Sequence, residues 1–134
     1  MIEQIKTFEG NTIAIEAIES FTETDVQLMH KFFEGKLAKG FDHVNVLIKL
    51  DEVKINQINT KAFFEHVIWV LRNLKNVGNL AIVAHSNILK SLIPLDNVFF
   101  KRLKKGFEER YFDVSQLDKA LDFVQSNPSN HKRS

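Results

Sequence analysis

The chain has no cysteine, which excludes disulfides, thiolate metal sites and a cysteine nucleophile. Proline and glycine are scarce, two and five in 134 residues, so fibrous and linker-like readings fall away. One tryptophan and one tyrosine stand against twelve phenylalanines. The aromatic weight therefore lies in side chains without a polar handle, suited to dry interiors or apolar pockets. Neither sign of charge dominates: a net of +1 supplies no field for nucleic acid, whose phosphates need clustered Lys and Arg. The longest unbroken apolar runs, Val67 to Leu71 and Leu80 to Ala84, are five residues each, far short of the roughly 20 that span a bilayer. Residues Met1 to Thr7 carry Glu3 and Lys6 and lack the apolar stretch of a signal peptide, so the expected location is cytoplasmic.

What is present is a 44% hydrophobic, 26% charged chain of single-domain length. We read residues 1–126 as one domain and 127–134 as a disordered tail. Ile2 to Phe8 and Asn11 to Ile18 are rich in β-branched residues and meet at Gly10-Asn11, a pair able to take positive φ, which predicts an antiparallel hairpin. Thr22 and Asp25 resemble a capping box, and Val26, Met29, Phe33 and Leu37 then recur at helical spacing until Gly40. His43 to Leu50 alternates, with Val44, Val46, Ile48 and Leu50 on one side, and ends at Asp51-Glu52. Asn59 or Thr60 opens a second helix with Phe63, Val67, Leu71 and Leu74 on its main stripe, leaving Trp69 and Val70 off it.

Leu80 to Ala84 is continuously apolar, as a parallel strand covered on both faces should be, and is expected in the middle of the sheet. Ser86 is placed as the cap of a short helix that Pro94 ends. A further helix from Asp96 carries Phe99, Leu103 and Phe107 on one face and Lys101, Arg102, Lys104 and Lys105 around the rest. Arg110 to Val114 forms a last strand, and Ser115-Gln116-Leu117-Asp118 opens a final helix with Leu117, Leu121 and Val124 inward. The alternation implies α/β architecture: a mixed, mainly parallel sheet with an N-terminal hairpin and right-handed β-α units.

Three phrases resemble the SpoIIAA-like proteins of STAS-type fold: Asn79-Leu80-Ala81-Ile82-Val83, Arg110-Tyr111-Phe112-Asp113 and Leu117-Asp118-Lys119-Ala120-Leu121. The resemblance covers about residues 8 to 126 and implies architecture, not an activity. STAS antagonists carry a phosphorylated serine in an Asp-Ser phrase followed by glycine. The corresponding stretch here is Asn56-Gln57-Ile58-Asn59-Thr60, with neither, and Thr60 is the candidate regulatory hydroxyl.

Ligands of open α/β sheets bind at the carboxyl ends of the strands, which singles out Asp51, Glu52, His85, Ser86 and Asp113. His85 and Ser86 are adjacent and cannot readily face each other, and no G-x-S-x-G elbow exists, so a hydrolytic triad ranks low. The five histidines show no metal-ligand spacing, and no glycine falls in a phosphate-binding phrase; no metal and no cofactor are expected.

The candidate ligand or partner surface is Phe99, Phe100, Leu103, Phe107 and Trp69, apolar groups beside the chain's one dense basic cluster. The first reading is thus a non-enzymatic STAS-like module that binds a protein partner or small apolar ligand, with at most peripheral membrane contact. A self-associating structural protein, a homodimer at its simplest, comes second, and a small hydrolase using His85 and the strand-end acids comes last.

Overall fold

In a computed structural model, residues 1–19, 22–55, 66–67, 69–71, 73–74, 76–86, 89 and 108–125 are described, with residues 19 and 51–55 described by their backbone alone. Five strands, β1 (Ile2–Lys6), β2 (Thr12–Glu19), β3 (Val44–Ile55), β4 (Val77–Ala84) and β5 (Glu109–Asp113), lie side by side in their sequence order. β1 and β2 are antiparallel; every later neighbour is parallel. Helix α1 (Glu23–Leu37) joins β2 to β3, and α2 (Leu117–Gln125) follows β5 through a 3-10 turn, Val114–Gln116. This is the mixed, mainly parallel α/β sheet that the alternation predicts.

Sequential strand order has a geometric consequence. Crossovers of one hand, each stepping to the next strand on the same side, fall on one face of the sheet. Met29 and Phe33 of α1 and Val67, Val70, Leu71 and Leu74 pack together with Val44, Val46, Ile48, Leu50, Leu80 and Ile82. Helix α2 has no strand after it and covers the other face: Ala120 and Val124 pack against Ala14, Leu47, Ala81 and Val83. All eight residues of β4 are buried, because helices lie above and below it.

The helix caps follow local chemistry. Thr22 Oγ1 accepts from the Asp25 N–H and the Asp25 carboxylate accepts from the Thr22 N–H at 2.8 Å, a complete capping box. Gly40, at φ 99°, turns the chain out of α1, where a side chain would be strained.

Several expectations need correction. Among the described residues only Gly40 and Asn76 (φ 65°) have left-handed backbone, so Gly10-Asn11 is not a positive-φ turn. The β1–β2 connection is a wider loop, held by the Lys36 ammonium, which donates to the carbonyls of Phe8 and Gly10, the latter at 2.6 Å. β3 does not end at Asp51-Glu52 but continues to Ile55, with a register shift against β2 between Ala17 and Glu19. Beyond Leu50 the apolar positions pass from even to odd numbers, to Val53 and Ile55, and that parity change mimics a strand end. β3, not β4, is central. Val70 is buried rather than off the packed stripe, since a helix lying on a sheet covers a broad apolar arc. Thr60, Phe63, Pro94, the basic cluster Lys101 to Lys105, and residues 127–134 lie outside the described residues.

Candidate functional site at the strand ends

The carboxyl ends of β4 and β5 are paired, Ala84 against Asp113, so His85 and Ser86 leave the sheet beside Asp113. The Ser86 hydroxyl donates to Asp113 Oδ1 at 2.7 Å. The other oxygen, Oδ2, accepts from the Ser115 N–H at 2.9 Å and the Ser115 hydroxyl at 2.7 Å. Gln116 completes the arrangement by accepting the Asp113 N–H at 3.2 Å. Asp113 is therefore the N-cap of the turn leading into α2, a role expected for Ser115 from sequence. Aspartate wins because its two oxygens serve the turn and Ser86 together.

Ser86 is likewise not a cap. It is already helical, and the His85 carbonyl accepts from the Leu89 N–H at 3.0 Å as the first intrahelical bond. Hydrogen bonds from the Ser115 hydroxyl, the Ser86 hydroxyl and the Ser115 N–H hold the Asp113 carboxyl far below the usual carboxylate range. Such a group is a poor proton acceptor near neutral pH. Among the described residues the His85 side chain bonds to neither Ser86 nor Asp113, and no three His, Cys, Asp or Glu groups cluster as metal ligands. Asp51 lies inside β3, one residue past the Leu50–Ala84 pair; its side chain, like that of Glu52, is outside the described set. The expected strand-end site thus resolves into one connected group, Ser86, Asp113 and Ser115, with His85 alongside.

Trp69 is 62% exposed, the most exposed large apolar side chain among the described residues, while its helical neighbours Val67, Val70 and Leu71 are buried. Its expected companions Phe99, Phe100, Leu103 and Phe107 are outside the described residues.

At the opposite end of the strands lies a polar group that sequence reasoning did not find. β4 carries an extra residue against β3, between the pairs Val44–Val77 and Val46–Leu80. The Asn79 N–H donates to Asn45 Oδ1 at 2.8 Å. Asn45 Nδ2 donates to the Val124 carbonyl of α2 at 2.8 Å, and the Thr12 hydroxyl donates to the same carbonyl at 3.0 Å. Asn79 Oδ1 in turn accepts the Glu108 N–H at 3.0 Å, tying in the start of β5. Asn45 is fully buried, so each of its bonds offsets a desolvation cost. Gly78 is required beside it, because a Cβ there would stand 2.3 Å from Asn45 Oδ1 and 2.6 Å from His43 Cδ2. The available signal was Asn45 itself, a strand-disfavoured residue inside an alternating apolar run.

The phrase Arg110-Tyr111-Phe112-Asp113 divides between the two faces. Tyr111 packs in the core on the α1 side. The Arg110 guanidinium lies 4.6 Å from the Phe123 ring centre, and Phe112 sits 5.9 Å from the same ring, on the α2 side.

The SpoIIAA-like family model matches residues 12–125. The chain belongs to the SpoIIAA-like family. No curated protein and no solved structure matches it. Among the described residues no helix is long and apolar enough to cross a membrane.

Proposed function

We propose that this SpoIIAA-like protein is a non-enzymatic module that docks a protein partner or a small apolar ligand against the apolar surface that includes Trp69. The observation that carries this reading is Trp69 itself, 62% exposed on a segment whose other described apolar residues, Val67, Val70, Leu71 and Leu74, are buried. A large aromatic group in water is the residue type most enriched at binding hot spots. The strand-end chemistry supports the same reading from the other side. Asp113, the acid a hydrolase would need as base or orienting group, is committed to a helix cap and Ser86, and its low basicity suits that structural role.

Phe99, Phe100, Leu103 and Phe107, which lie outside the described residues, are proposed from the sequence as further contributors to this surface. Native mass spectrometry of the freshly purified 15.5 kDa chain tests the proposal. The expected wild-type result is a heavier species that Trp69→Ala, or Phe99→Ala with Phe100→Ala, depletes while the stability of Trp69→Ala by urea denaturation stays within about 0.5 kcal/mol of wild type. A bare monomer in every sample would defeat it. A species at twice the chain mass would select the self-associating reading.

A further inference from the structure

We infer that α2 is a strap clipped to the sheet by polar groups at its two ends, able to open without unfolding the sheet. Ala120 and Val124 are buried against Ala14, Leu47, Ala81 and Val83, and Leu117, Leu121 and Phe123 pack half-buried on the same cluster. A nine-residue helix has little stability of its own, so its place on the sheet depends on that contact and on the polar groups at its ends. At the start, Asp113 at the end of β5 caps the turn that leads into it. At the finish, Thr12 and Asn45, paired neighbours on β2 and β3, both donate to the carbonyl of Val124. That carbonyl is one of the last four of the helix and has no intrahelical partner, so both its lone pairs go to the sheet.

The two donors differ in what else they do. Asn45 also serves the Asn79 N–H and therefore the sheet, whereas the described hydrogen bond of the Thr12 hydroxyl goes to the strap alone. Releasing Thr12 loosens α2 while β3 and β4 stay joined. Opening uncovers Ala14, Leu47, Ala81 and Val83, an apolar strip on the face away from α1.

Native-state amide hydrogen exchange of the full chain tests this. The amides of Leu121 to Gln125 are compared with those of Ala81 to Ala84 in wild type, Thr12→Val and Thr12→Ser. Thr12→Val, nearly isosteric, is expected to speed α2 exchange on the order of 2- to 10-fold, the worth of one net hydrogen bond, and to leave β4 unchanged. Thr12→Ser, which keeps the hydroxyl, should retain slow α2 exchange. An equal acceleration of α2 and β4 would show a single cooperative unit and overturn the inference. So would unchanged exchange in Thr12→Val, or equal acceleration by Thr12→Ser.

Discussion

Replacing Asn45 with alanine breaks two bonds of unequal weight. The Asn79 N–H, displaced from the ladder by the extra residue in β4, loses its acceptor inside the protein. An orphaned buried donor costs about 1–3 kcal/mol. The Val124 carbonyl keeps Thr12 and loses only one of two donors, worth about 0.5–1.5 kcal/mol. Asn45→Ala should therefore destabilise the chain by about 2–4 kcal/mol.

Gly78→Ala should reach a similar loss by another route. A Cβ 2.3 Å from Asn45 Oδ1 cannot be accommodated unless the Asn45 amide swings away, which breaks the same bonds. With Asn45 already truncated, that part of the cost of Gly78→Ala disappears, and only the approach to His43 at 2.6 Å remains. The double variant should then be more stable than the sum of the two single losses by about 1 kcal/mol or more, within the usual range for residues in contact. Urea denaturation reads this directly, since a slope of about 1–3 kcal/mol per molar urea places each single variant's midpoint lower by roughly 1 M or more. Additive losses would refute the claim that Gly78 exists to admit Asn45. A loss under about 0.5 kcal/mol in Asn45→Ala would refute the relay itself.

Ile82→Ala, in a strand buried on both faces, should cost about 2–5 kcal/mol by urea denaturation. Rapid amide exchange along Leu80 to Ala84 would contradict the interior assignment of β4. Burial opposes ionisation of Asp25, but hydrogen bonds from the Thr22 N–H, the terminal ammonium and the Thr22 hydroxyl outweigh it and hold the carboxyl below its ordinary value of 3.8. A carboxyl lowered in the folded state gives stability that is present above the unfolded value and lost as pH falls through the folded one. Stability should decline below about pH 3.8 less steeply in Asp25→Asn than in wild type, as acid titration by circular dichroism would register; identical slopes would remove Asp25 from the account.

The strand alternation of residues 44–50, the unbroken apolar run of β4 and the capping box of α1 were legible because each rests on local periodicity or a local hydrogen bond. What stayed hidden depends on contacts distant in sequence. The Gly10-Asn11 turn is shaped by Lys36 and the continuation of β3 past Leu50 by a register shift against β2, whereas the cap at Asp113 is a local motif that sequence reading placed two residues late, at Ser115. At the candidate site, sequence brought out Ser86, His85 and Asp113, with Asp51 and Glu52, as strand-end residues, but neither which of them meet nor their roles. A carboxylate at a strand end looks the same in sequence whether it activates a water or caps a helix. Asn45 illustrates the opposite difficulty: its position was legible and its partners, 34 and 79 residues away, were not.

Each phrase by which the chain resembles its family contributes residues to the seat of one element. In the first, Asn79 receives Asn45 and holds Glu108, while Ala81 and Val83 form part of the seat of α2. In the second, Arg110 and Phe112 meet Phe123, and Asp113 caps the turn into the helix. The third is α2 itself, with Ala120 against the sheet. The family signature in this chain is thus largely a description of how one short helix is seated on a parallel sheet. One-sided winding puts the crossover helices on the opposite face, where the segment bearing Trp69 packs. The two faces of the sheet thus do different work: one seats α2, and the other packs the core under α1 and the segment that exposes Trp69.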